Sequence, residues 1–131
     1  MIRLVASTCI AAALAAAAAA PASAETKPAR QCFFPSQLSS WKEVGDSAVN
    51  LRVGVSDIYR LDLLGPCPDL RWAEAVGIET RGGDSHICSG LDVSLIVPRG
   101  VTHTVPLRCM ATSLRKLSRE EAAALPKSER P

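Results

Sequence analysis

Four cysteines, Cys32, Cys67, Cys88 and Cys109, follow an N-terminal stretch that reads as an export signal, and together these features constrain the fold more than any other. Met1 to Ala24 carries one charged residue, Arg3, ahead of a long apolar run dominated by alanine. It closes on Ala22-Ser23-Ala24, the small residues a signal peptidase reads. Cleavage after Ala24 is expected, which sends the chain from Glu25 onward out of the cytosol. Leu4 to Ala20 is short for a membrane span and mostly alanine, so no span is expected after cleavage. A lipoprotein would need a cysteine just behind the apolar run, whereas Cys9 lies within it. The alanine-rich leader suits a bacterium of high genomic GC content, hence a periplasmic or secreted protein. An even cysteine count in such a compartment reads as two disulfides. No pair shows the C-x-x-C spacing that sets two thiolates on one turn for zinc or redox chemistry. Of the three possible pairings the nested one is favoured, Cys67–Cys88 within Cys32–Cys109. The inner bridge would pin a helix start to a nearby hairpin. The outer would tie the first ordered residue to the last long strand.

The remaining length suits one domain, expected over 31–125, with a lead-in at 25–30 and a tail at 126–131. A core that small gains much from covalent staples. The formal net charge is +2, and one of the positive charges, Arg3, lies in the leader. So weak a field draws neither nucleic acid nor anionic lipid. The one basic cluster, Arg115-Lys116 with Arg119, reads as a solvated face.

Strand periodicity dominates the middle of the chain. Leu38 to Val44 reads as a strand anchored by Trp41. Val49, Leu51 and Val53 alternate with Asn50 and Arg52, and Tyr59, Leu61 and Leu63 with Arg60 and Asp62. With turns at Gly45-Asp46-Ser47 and Gly54-Val55-Ser56-Asp57, these three runs form an antiparallel meander. Asp69 is expected to cap a short helix through Val76, ended by Gly77. Ile78 to Arg81 is a brief strand, and Gly82-Gly83-Asp84-Ser85 a hairpin tip returning through His86-Ile87-Cys88. Leu91, Val93, Leu95 and Val97 share one face of a further strand. A last long strand within Val101 to Leu117 carries Cys109, and Pro106 suggests an edge or a bulge. Ser118-Arg119-Glu120-Glu121 is a capping box ahead of a short terminal helix. The expected fold is mainly β, a small antiparallel curled sheet or barrel of the OB or SH3-like kind, with a short central and a short C-terminal helix.

No residue set reaches a catalytic assignment, so a non-enzymatic module without cofactor is expected. Gly83-Asp84-Ser85 resembles the start of a GDS-type esterase motif, but no Asp-x-x-His follows to supply a base, and turn chemistry explains the triplet. Asp84, His86 and His103 are the candidates for a small-molecule or metal site, since imidazole beside a carboxylate binds metal or moves protons. Asp62 and Asp92 fall on outer faces. Trp41, Tyr59 and Trp72 have the chemistry to stack a ligand, but the core has first claim on so few aromatics. The Arg71-Trp72 step, with His86, is the preferred exposed recognition site, and the partner expected is a protein or an envelope component.

Cys32-Phe33 with Trp41, Val49-x-Leu51-Arg52, Tyr59-Arg60-Leu61, Gly65-x-Cys67-x-Asp69-Leu70, Ile87-Cys88-Ser89-Gly90 and Cys109 together resemble a group of small exported proteobacterial four-cysteine proteins classed as a domain of unknown function. The Leu117-Ser118-x-Glu120-Glu121 ending resembles the same group. The resemblance runs from Gln31 to Leu125. It implies a secreted single domain with paired cysteines and carries over no activity, cofactor or catalytic residue.

Overall fold

The computed structural model describes residues 31–83, 85–101 and 103–131. The leader 1–24, the lead-in 25–30 and Asp84 lie outside the described residues. Strands β1 (Leu38–Val44), β2 (Ala48–Val53) and β3 (Asp57–Leu63) form the meander that alternation predicts. Gly45 and Gly54 take φ +64° at its two turns, a region glycine enters without a Cβ clash. The register pairs Val49 with Leu61 and Leu51 with Tyr59, so the apolar set of each strand meets that of the next on one face. A second meander follows, β4 (Gly77–Thr80), β5 (Val93–Val97) and β6 (Leu107–Lys116). The two join through β3 and β6, giving the order β1-β2-β3-β6-β5-β4 in one antiparallel sheet of six strands. The sheet curls into a half-barrel around Leu51, Leu61, Leu70, Ile87 and Leu95, all essentially buried. Phe33 joins this core against Tyr59, with ring centroids 4.8 Å apart, whereas Phe34 faces solvent.

Both expected disulfides form, but their pairing corrects the nested one. Cys32 bonds Cys88 and Cys67 bonds Cys109, so the two loops interleave. The strand order is the reason. Because β6 returns beside β3, the segment leaving β3 runs along β6, and the Leu64 N–H donates to the Met110 carbonyl at 2.8 Å. Cys67 thereby reaches the inward-facing Cys109. At the other end, Phe33 and Ile87 exchange main-chain hydrogen bonds of 3.1 and 2.8 Å, which brings Cys32 beside Cys88. That isolated bridge spans between the chain entering β1 and the β4–β5 connection, so it links the two edge regions of the half-barrel.

Several elements differ locally from expectation. The central helix is a single 3-10 turn, Leu70–Trp72. Asp69 sits at φ 67° and its carboxylate pairs with Arg99 at 3.1 Å, so it does not cap, and Ala73 is already extended. Leu91 leaves the expected strand face for a 3-10 turn, Gly90–Asp92, and is exposed. Gly90 there lies hard against the Ser113 main chain. β4 pairs with β5 rather than with the His86-Ile87-Cys88 return. β6 is central, not an edge; Pro106 stands just ahead of it, and β6 does carry an irregularity, at Thr112, which is skipped between the Asp62–Ser113 and Leu63–Ala111 pairs. The terminal helix α1 (Arg119–Ala124) carries the full capping box of Ser118 and Glu121. Beyond it, Lys127–Glu129 forms a 3-10 turn on the outer face of β2, where Asn50 Nδ2 donates to the Glu129 carbonyl at 2.8 Å. Arg52 donates to the main-chain oxygen of Pro131 through Nε, at 3.0 Å, and through its terminal nitrogen.

Candidate functional site

A surface concavity lies where β3 begins and β6 ends, and α1 forms one wall. It encloses about 740 Å³ and includes Asp57, Ile58, Lys116, Leu117, Arg119 and Glu121 in its lining. The floor is apolar: Ile58 and Leu117 are buried and joined by a 2.8 Å main-chain hydrogen bond. The walls are ionic. Lys116 Nζ donates to Asp57 Oδ2 at 2.7 Å, and Arg115 donates to Glu121 Oε1 at 2.7 Å. Among the described residues Arg119 makes no ion pair.

The electrostatics follow from these partners. The hydrogen bond to Asp57 raises the Lys116 pKa above its ordinary value, against a smaller opposing cost of burial. Its amine therefore stays protonated near neutrality, a fixed cation beside Asp57. Burial pushes the Tyr59 phenol up; Lys116 opposes that shift and Asp57 adds to it. The Ser118 main-chain N–H, and after it Arg115, hold the Glu121 carboxyl below its usual range. The Ser118 hydroxyl accepts from the Glu121 N–H, which commits it to the helix cap. The cleft thus offers an apolar floor with fixed charges of both signs. Such a surface has the chemistry to meet a small polar molecule or a charged segment of a partner.

The residues singled out from sequence lie elsewhere. His86 is exposed and packs on Phe34, with ring centroids 4.1 Å apart. His103 is exposed in the β5–β6 connection, and Asp84 is outside the described residues. Among the described residues no group of three or more His, Cys, Asp or Glu is placed to hold a metal ion. Arg71 and Trp72 are exposed, Trp72 at 81 %, and neither lines the cleft. A shallower groove of about 320 Å³ runs between Leu64-Gly65-Pro66, Pro68 and Leu107 to Met110, above the Cys67–Cys109 bridge. Trp41 and Tyr59 are spent on packing against or within the core. The cleft residues had one sequence signal, the Arg115-Lys116 and Arg119 cluster. Nothing in the sequence placed Asp57 beside it, because that contact depends on β3 pairing with β6.

Among the described residues no helix is long and apolar enough to cross a membrane. No curated protein and no solved structure matches the chain. A family model described as a family of unknown function, DUF6491, matches residues 1–131, and the chain therefore belongs to that family.

Proposed function

We propose that this protein is an exported, non-enzymatic binding module that engages a protein or envelope component in the periplasm or outside the cell. The observation that carries the reading is that all four cysteines beyond the leader-like segment are joined in disulfides, which persist in oxidising compartments. The Ala22-Ser23-Ala24 ending of the apolar leader supports the same compartment. An exposed Trp72 beside Arg71 supports recognition, since these residue types dominate binding energy when a partner buries them. Leu64 and Met110 are exposed as well, in the groove above the Cys67–Cys109 bridge.

Mass spectrometry of protein from its native source tests the compartment. The expected product begins at Glu25 and takes up no alkylating agent without reductant. An intact leader with four open thiols overturns the reading. Affinity capture with the mature chain and its Trp72→Ala variant tests recognition. A partner held by the first and lost by the second is expected; equal capture by both removes Trp72 from the interface.

A further inference from the structure

The two disulfides are not equivalent, and the difference is one of access. Cys67 and Cys109 are 2 % and 8 % exposed and belong to the core cluster or its border. Cys32 is exposed and Cys88 half-buried. Thiol–disulfide exchange needs a thiolate to approach a sulfur in line with the bond, so an open sulfur exchanges and an enclosed one does not until the fold opens. The exposed bridge also sits outside the strand ladders. Phe33 and Ile87 form an isolated pair outside the strand ladders, held by two main-chain hydrogen bonds. The six-strand ladder runs from β1 to β4 without using that pair.

We propose that Cys32–Cys88 is an exchange site for an external dithiol, such as the C-x-x-C pair of a protein oxidoreductase, while Cys67–Cys109 is purely structural. A thiolate of the dithiol attacks Cys32 Sγ, forms a mixed disulfide with Cys32 and releases Cys88 as a thiolate, which takes up a proton. The second thiol of the dithiol then loses its proton and attacks the mixed disulfide. Cys32 leaves as a thiolate, takes up a proton in turn, and the dithiol departs as a disulfide. Two electrons and two protons have passed to the bridge. The released segment is then held by the Phe33–Ile87 hydrogen bonds and by the burial of Phe33 and Ile87, with no covalent link between the two strands of the pair. Its opening uncovers the core between the two edge regions of the half-barrel. Phe34 and His86, each two residues from a bridging cysteine, pack on each other with ring centroids 4.1 Å apart and mark the surface a reductant meets.

The test uses the purified, oxidised chain from Glu25 onward, which carries the four bridge cysteines and not Cys9. Dithiothreitol is titrated under native conditions, the thiols are quenched with iodoacetamide, and the alkylated peptides are mapped. Alkylation of Cys32 and Cys88 at least tenfold faster than Cys67 and Cys109 is expected. Hydrogen exchange should rise at 32–37 and 85–89 while β2, β3 and β6 stay protected. A C-x-x-S trapping variant of a thioredoxin-like protein should form its mixed disulfide at Cys32. Parallel alkylation of all four cysteines, or a trap found on Cys67 or Cys109, overturns the assignment. So does reduction that occurs only as the whole domain unfolds. The Cys32→Ser/Cys88→Ser double variant should stay folded, keep Cys67–Cys109 and fail to form the trapped adduct. These readouts concern the isolated molecule, so they succeed or fail independently of where the chain resides.

Discussion

Asn50 shows how a single residue is read wrongly from alternation and rightly from packing. Period two puts it on the outer, solvent face of β2, yet it is fully buried, because residues 127–131 lie over that face. Its amide nitrogen has a partner in the Glu129 carbonyl, and its Oδ1 has none among the described residues. Replacing it by Asp removes the donor and sets a carboxylate in the same enclosure. Asn50→Asp should lose about 3 kcal/mol at neutral pH in urea denaturation. Gly90 makes the converse case. A methyl group there would fall within the Ser113 main chain, which belongs to the central strand and cannot yield cheaply. Gly90→Ala should cost about 3 kcal/mol in the same measurement, at the upper end for overpacking. Neither effect was legible in sequence, since each depends on a segment far along the chain.

At the scale of elements, local chemistry was readable wherever it was local. The β1–β3 meander follows from alternation and two glycine turns, and α1 from the Ser118 and Glu121 box. The central helix failed because Asp69, a sound cap by residue type, is drawn to Arg99 and held at positive φ. The box makes α1 sensitive to acid. The Glu121 carboxyl titrates below its ordinary 4.5 when folded, so its support is complete above that pH and fades as pH falls through the lowered value. The protection of the Ser118 and Glu121 amides, measured against the intrinsic exchange rate at each pH, should therefore fall in acid before that of the sheet amides. Glu121→Gln should flatten that dependence.

At the scale of the molecule, two interleaved bridges close segments of 56 and 42 residues. Loop-closure entropy assigns each about 4 kcal/mol, a large share of the stability of a small domain. The buried bridge adds the packing of its sulfurs to that figure. Cys67→Ala/Cys109→Ala should accordingly lower the denaturation midpoint more than Cys32→Ser/Cys88→Ser; the reverse order would mean that the exposed Cys32–Cys88 bridge, not the core bridge, holds the sheet together.

The amino-acid sequence by itself determined that this is a small, mainly β, antiparallel body with two cross-links and a capped terminal helix, because periodicity, turn chemistry and cysteine count act over neighbouring residues. Tertiary structure alone decided which cysteines meet, that Asp57 faces Lys116, and that Asn50 is covered. Each of these contacts depends on strand order, above all on β6 lying between β3 and β5, and that order is set by the joint burial of both apolar faces, a balance no short window of sequence contains.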